Sequence, residues 1–183
     1  MSRPPAAREA VLDAFERILI DDGERAATLD ATARAAGVSK GGLLYHFASK
    51  DALVEGLLER LRALIDEDVA DIENAPEGAV AYFLRTSTAV DTPLDRACIA
   101  ATRLAQGGHH AAGEVLRQMR QRWLDVMNAH VDDPTVALVV SLVSDGLYYD
   151  AALRSTGDVG TLPVGPRELD EVIALLERLS TRR

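Results

Sequence analysis

Two short helical patterns separated by a single tight turn constrain this chain more than any other feature. Residues 29–36, LDATARAA, stop at Gly37, and a second run, KGGLLYH at 40–46, starts directly after Val38-Ser39. Thr28 and Ser39 stand where hydroxyl oxygens cap the free N–H groups of a helix, and Asp30 adds negative charge in the first turn, where the helix dipole favours it. Gly37 supplies the positive φ that so short a turn needs. Ala33 is small where two helices cross closely, and Val38 plugs the space between them. Leu43 and Phe47, four apart, give the second helix an inner face. Lys40, Gly41, Leu44 and Tyr45 are left on its outer side. This is the outline of a helix-turn-helix, whose second helix enters the DNA major groove.

The rest of the chain reads as helix too. Aromatics are only 4% of the sequence, and Ala, Leu, Arg and Glu recur at spacings of three and four, so no strand is expected. Val11, Leu12, Phe15, Ile18 and Leu19 form a stripe that follows Pro4-Pro5 and ends at Gly23. Ser49 caps a fourth helix running from Lys50 toward Asn74, closed by Pro76. Further helices are predicted over 77–90, 93–106, 110–130, 134–154 and 167–180, with a Gly/Pro-rich loop at Ser155–Pro166. The fold class is therefore all-α, with an N-terminal three-helix DNA-binding domain over 1–52 and a C-terminal helical domain over 53–183.

Charge bears directly on the DNA reading. A net charge of −9 opposes binding to phosphates, but residues 1–52 carry seven Arg/Lys against eight Asp/Glu, while 53–183 carry thirteen against twenty-one. The acid lies mostly outside the opening stretch. The same imbalance disfavours a non-specific nucleoid-type binder, whose affinity would come almost wholly from phosphate neutralisation. One cysteine, Cys98, excludes an internal disulfide and fits a reducing cytoplasm. The N-terminus lacks the apolar core of a signal peptide, and the longest apolar run, Val136 to Val143, is interrupted by Ser141; no membrane association is expected.

The stretch TLDATARAAGVSKGGLLYHFASKDAL, residues 28–53, resembles the DNA-binding signature of the TetR family of transcriptional repressors, usually close to T-x-x-x-I-A-x-x-A-G-V-S-x-G-x-L-Y-x-H-F-x-S-K-x-x-L. Thr28, Ala33, Ala36, Gly37, Val38, Ser39, Gly41, Leu43, His46, Phe47, Ser49, Lys50 and Leu53 coincide with it. Two positions depart: Thr32 replaces an apolar residue, and Leu44 replaces a tyrosine that holds a phosphate. Here the tyrosine is Tyr45, one residue and about 100° further round the helix. The resemblance implies that Thr28, Ser39, Tyr45, His46 and Lys50 hold phosphates, while Lys40, Gly41 and Gly42 face base edges. Hydroxyls and helix N-terminal N–H groups suit phosphate oxygens, and Lys40 alone at the start of the helix is long enough to reach guanine O6 or N7. Thr28, Ser39 and Ser49 would equally serve as plain helix caps, and His46 as packing. Gly41 and Gly42 each cost ~1 kcal/mol relative to alanine, a cost explained if the helix must approach DNA closely. Gly42→Ala is accordingly expected to stabilise the fold and weaken DNA binding.

For the C-terminal domain the resemblance implies dimerisation and a small-molecule effector. Tyr82, Phe83, Cys98, Met119, Trp123, Met127, Asp145 and Tyr149 are candidate lining for an apolar or aromatic ligand, although Met119, Trp123 and Met127, at i, i+4 and i+8, equally describe a core stripe. Ser141, Ser144 and Asp145 need polar partners in an apolar helix, which a ligand, Arg103, Arg120 or solvent would supply. Val136, Val139, Val140, Val143 and Leu147, with Leu169, Val172, Ile173, Leu176 and Leu179, exceed the needs of one core and suit a homodimer interface of four helices. A dimer would set two recognition helices roughly 34 Å apart or a little more, matching a palindromic double-stranded operator. The chain has no Gly-x-Ser-x-Gly, P-loop or dinucleotide fingerprint, and adjacent His109 and His110 diverge without a carboxylate at i+4. No cofactor or metal and no enzymatic activity is expected. The competing class is an all-α enzyme or metal-binding protein with an incidental helix-turn-helix.

Overall fold

The computed structural model describes residues 4–155 and 164–180, and all regular structure among them is helical. The helices are α1 (Pro4–Asp21), α2 (Leu29–Ala35), α3 (Lys40–His46), α4 (Lys50–Glu73), α5 (Ala79–Thr86), α6 (Pro93–Gln106), α7 (His110–His130), α8 (Pro134–Ser155) and α9 (Pro166–Ser180). Most bounds fall within a residue or two of the sequence reading. The exception is α5, four turns by expectation and about two in fact. Gly78 enters it at φ 95°, and at its end the hydroxyls of Thr86, Ser87 and Thr88 turn back onto the carbonyls of Tyr82, Phe83 and Arg85, competing with helix continuation. Most of the Ser155–Pro166 loop, residues 156–163, lies outside the described residues.

The chain forms two compact units. One unit comprises residues up to Ile65 together with Pro93–Gln118; the other comprises Asp66–Thr92 and the chain from Met119 onward. Helices α4 and α7 therefore contribute residues to both. In the first unit α1 packs along α6, where fully buried Ala97, Ala100 and Ala101 let the backbones approach closely. Leu12, Phe15 and Leu19 of α1 and Leu57, Leu58 and Leu61 of α4 are fully buried, each worth roughly 1.5–3 kcal/mol. Glu16 of α1 is also buried, 3.7 Å from Arg60 of α4 and 3.5 Å from Arg96 of α6. Burial raises its carboxyl above the usual range, opposed by the two arginines. The α1, α4 and α6 segments of this unit thus share an ionic centre as well as an apolar one.

In the second unit, Phe83, Leu84, Met127, Val140, Ile173 and Leu176 belong to one core. Four residues read as interface, Val140, Leu147, Ile173 and Leu176, are buried inside this core and so are unavailable to a second chain. Val136, Val143, Leu169 and Val172 are partly buried against the same core, Leu179 is half-buried, and Val139 is exposed. The exposed apolar residues are instead Leu138, Val139, Leu142 and Tyr149 on α8 and Leu175 on α9. Apolar sequence alone does not distinguish the two sides of α8, because both are apolar. For the same reason Pro134–Leu153 is long and apolar enough to cross a membrane by length and composition alone, with 33% of its most apolar window buried, whereas the sequence reading took Val136 to Val143, interrupted by Ser141, as the longest apolar run. A serine need not break such a span, since Ser141 Oγ donates back to the Ala137 carbonyl at 3.1 Å. The core-facing and outward-facing apolar residues of this one helix account for its hydropathy.

Candidate nucleic-acid interface

The turn between α2 and α3 is built as its residues dictate. Thr28 Oγ1 accepts from Ala31 N at 3.2 Å and Ser39 Oγ from Gly42 N at 3.0 Å, capping the two helices; Ser49 Oγ caps α4 through Ala52 N at 3.1 Å. Gly37 takes φ 67°, and Val38 N closes the end of α2 on the Ala33 carbonyl at 3.0 Å. Leu43 and Phe47 are buried, pinning the inner face of α3. Gly56 of α4 makes room for Phe47: a Cβ there would lie 2.7 Å from the ring. Arg8 lies over the Phe47 ring, 5.2 Å from its centroid. The recognition helix is seated from three sides.

Its outer face carries Lys40, Gly41, Leu44 and Tyr45, all exposed, with Tyr45 83% open to solvent. Tyr45 meets His46 edge-on at 5.1 Å, so the half-buried imidazole sits beside the phenol rather than in the core. Gly41 has open space where a Cβ would be, whereas a Cβ on Gly42 would lie 3.2 Å from Ser39 Oγ, the capping atom itself. The cleaner probe of close approach is therefore Gly41, because an alanine at Gly42 also meets the capping hydroxyl. Gly41→Ala is expected to stabilise the fold by about 1 kcal/mol and to weaken DNA binding, read by thermal melting and by anisotropy of labelled DNA. Unchanged DNA affinity would remove close approach as the reason for this glycine.

Two ion pairs bear on the cationic residues. Lys40 Nζ lies 3.0 Å from Asp30 Oδ1, with both side chains more than half exposed. Such a pair is worth about 0–1 kcal/mol and yields readily to a phosphate or base. Lys50 is held more firmly: its ammonium donates to Glu24 Oε1 at 2.5 Å and to the Glu24 carbonyl at 3.1 Å. The hydrogen bond from Lys50 is the largest influence on the Glu24 carboxyl, which lies below the usual range; His109 Nε2 stands 3.6 Å from the same oxygen. Two of three ammonium donors are thus committed, leaving Lys50 one for a phosphate. Neither Asp30 nor Glu24 was legible as a partner, because ten and twenty-six residues of sequence separate them from their lysines.

Thr32, where the family pattern has an apolar residue, is fully buried and its hydroxyl has no hydrogen-bond partner. A buried unsatisfied hydroxyl costs on the order of 1–3 kcal/mol. Thr32→Val, which keeps the shape, is expected to raise stability by about 1 kcal/mol with DNA affinity unchanged, measured by denaturant titration and anisotropy; a loss of stability would mean the hydroxyl has a bonding role.

The residues read as candidate effector lining fall in both units. Cys98 lies on α6, in the first unit, and is half-buried. Tyr149 is 67% exposed on α8. Asp145 is engaged by Arg120 through two hydrogen bonds of 2.9 and 2.5 Å, and Ser144 meets Ser87 Oγ at 2.7 Å, so protein groups supply these partners. Met119 and Met127 are core residues, leaving Tyr82, Phe83 and Trp123 as the aromatic set.

A capped helix-turn-helix presenting an exposed lysine and glycine at the head of its second helix, followed by a larger helical body, defines a DNA-binding regulator. Residues 11–57 match the model of bacterial regulatory proteins of the tetR family, and residues 77–181 match the tetracyclin repressor-like C-terminal domain. The chain belongs to the TetR family of transcriptional regulators. It is similar to the HTH-type transcriptional repressor KstR2 of Mycobacterium tuberculosis, 29% identical over 134 residues covering 69% of this chain and 67% of that protein. It is also similar to the HTH-type transcriptional regulator BetI of Rhizobium meliloti, 36% identical over 93 residues covering 48% and 44%. Among solved structures, a putative transcriptional regulator from Pseudomonas aeruginosa PAO1 shares the fold with a TM-score of 0.70 at 23% identity, covering 97% of this chain and 91% of that one. The multidrug binding protein EbrR complexed with malachite green has a TM-score of 0.65 at 22% identity, covering 96% and 98%.

Proposed function

We propose that this protein is a ligand-responsive repressor that acts in the cytoplasm and binds a palindromic operator as a homodimer, with residues 1–52 contacting DNA and 53–183 binding effector and partner chain. The observation that carries the reading is the outer face of α3, where Lys40, Gly41, Leu44 and Tyr45 are exposed on a helix capped and packed on every other side. Lys40 reads a base edge; Thr28, Ser39, Tyr45, His46 and the remaining donor of Lys50 hold phosphates. The capping hydroxyls are exposed and keep a second lone pair and a proton for a phosphate oxygen, so capping and DNA contact are compatible.

The exposed apolar residues of α8 and α9 support the dimer. Leu138, Leu142 and Tyr149 recur at four and seven residues along α8, making one stripe, and Leu175 is exposed on α9, which packs beside α8. Two such helix pairs meeting about a twofold axis bury these side chains. Helix α4 supports the response to ligand, because it starts at the cap following α3 and continues into the second unit. An effector that favours one position of α4 shifts the population of DNA-competent dimers. The small molecules named with EbrR, imidazole and malachite green, lend the effector role support by analogy.

The test is anisotropy of labelled DNA from the region flanking the coding sequence, against a random fragment, at two salt concentrations. Selective binding at both salts is the expected result. Equal binding to both fragments, or to neither, defeats the reading.

A further inference from the structure

Glu24 lies outside the recognition helix, yet two other parts of the first unit meet on its side chain. It stands in the turn between α1 and α2, just after Gly23 at φ 83°. From the head of α4, Lys50 donates to Glu24 Oε1 at 2.5 Å and to the Glu24 carbonyl at 3.1 Å. From the turn between α6 and α7, His109 Nε2 stands 3.6 Å from the same carboxylate oxygen. That turn is also shaped around the side chain: a Cβ on Gly107 would lie 3.0 Å from Glu24 Cγ and 3.4 Å from Glu24 Cβ. Gly108 then takes φ 95°, and His109 N closes on the Leu104 carbonyl at 3.0 Å, so the chain doubles back with His109 beside Glu24.

The two contacts on Lys50 do different work. The Glu24 carbonyl fixes where the ammonium sits and carries no net charge, whereas the carboxylate neutralises it. The side chains of Lys50 and Glu24 are 31% and 23% exposed, against 57% and 63% for Lys40 and Asp30, so solvent and salt screen this pair less. A lysine strengthens DNA binding by neutralising a phosphate and releasing its counterions. An ammonium already neutralised by a protein carboxylate releases few. The Glu24 carboxylate therefore subtracts from the grip of Lys50 on DNA, while the backbone carbonyl keeps the lysine in place without it.

We propose that Glu24 is a positioning residue that limits the contact of Lys50 with a DNA phosphate, and that the α6–α7 turn, through Gly107 and His109, holds it to that task. The proposal rests on the reading of Lys50 as a phosphate contact. It goes beyond that reading in giving the turn before α7 a means of setting DNA affinity by charge, with no change in the spacing of the recognition helices. Because α7 is continuous from this turn into the second unit, a shift of α7 reaches Glu24 through its first residues.

The test is a double-mutant cycle in the full chain. Glu24→Gln, Lys50→Met and the double variant are checked for folding by thermal melting. Their affinities for two labelled duplexes, one from the region flanking the coding sequence and one random, are measured by anisotropy across a salt series. Glu24→Gln keeps the shape of the side chain and an acceptor for Lys50, so it is expected to bind both duplexes severalfold more tightly at low salt. It is also expected to steepen the salt dependence by up to about one ion per half-site. In the Lys50→Met background the same substitution is expected to do no more than Asp22→Asn, an exposed acid of the same turn. Weaker binding in Glu24→Gln would mean that the carboxylate orients Lys50 for DNA, and an equal gain with and without Lys50 would mean a general charge effect; either overturns the proposal. Gly107→Ala is expected to shift DNA affinity in the parent and not in Glu24→Gln, and an equal shift in both backgrounds, or none, removes the turn from the mechanism. Lys50→Met alone separates the two readings. If it changes neither affinity nor salt dependence, Lys50 is no phosphate contact and both readings fall; if it weakens binding while Glu24→Gln strengthens nothing, the role of Glu24 falls and the phosphate contact stands.

Discussion

Leu142→Glu is expected to leave each chain folded and to convert the protein to a monomer whose operator affinity is lower by roughly 10²–10⁴-fold. Leu142 is 58% exposed at the centre of the α8 stripe, so the substitution removes nothing from the core of its own chain. In a twofold dimer it acts twice, placing two carboxylates in a contact whose worth comes from burying leucine. Operator affinity falls because two half-sites bound by one dimer gain from effective concentration, whereas a monomer holds each half-site alone. Sedimentation would show the change in mass, circular dichroism the intact helices, and anisotropy the loss of binding. The control is Val140→Ala, a buried position, expected to lower stability by about 1–3 kcal/mol without changing the oligomeric state of the folded protein. A dimer that persists in Leu142→Glu would show that another surface joins the chains.

Lys40→Ala is expected to cost specific binding about 1–3 kcal/mol, roughly 5- to 150-fold, while changing affinity for random DNA far less. Lys40 stands at the N-terminal end of α3 beside two glycines that leave the groove-facing surface low. Its bond to Asp30 is too exposed to compete with a guanine edge, so the lysine is oriented in the free protein rather than withheld. Asp30→Asn therefore gives the opposite outcome, tighter binding to both specific and random DNA, because a carboxylate near the phosphates is removed. The salt dependence decides the role. A base contact leaves the slope of affinity against salt nearly unchanged in Lys40→Ala, whereas a phosphate contact lowers it by about one ion. Equal losses on specific and random DNA would move Lys40 from base reader to phosphate clamp.

The contrast between these residues shows what was legible. The helix-turn-helix depends on contacts between residues close in sequence: Ser39 reaches Gly42, Thr28 reaches Ala31, and Gly37 adopts the conformation its lack of a side chain permits. Such features recur at fixed spacing, and a reader of the sequence recovers them. Lys50 was legible as a cation but not as one already bound by Glu24, and Gly56 was not legible as the notch that receives Phe47. Both depend on how α4 is laid against residues distant in the chain.

By itself the sequence determined an all-α chain, the turn and caps of the helix-turn-helix, and the exposed composition of its second helix, because helix periodicity and capping are local physics. Only the tertiary structure decided which apolar residues of α8 and α9 fill the core and which stand exposed, since leucine and valine on opposite sides of one helix look alike until a neighbour covers one of them. It likewise decided which acid meets which base, as Asp145 meets Arg120, because charge pairing depends on which helices are brought together and not on how many acids the chain contains.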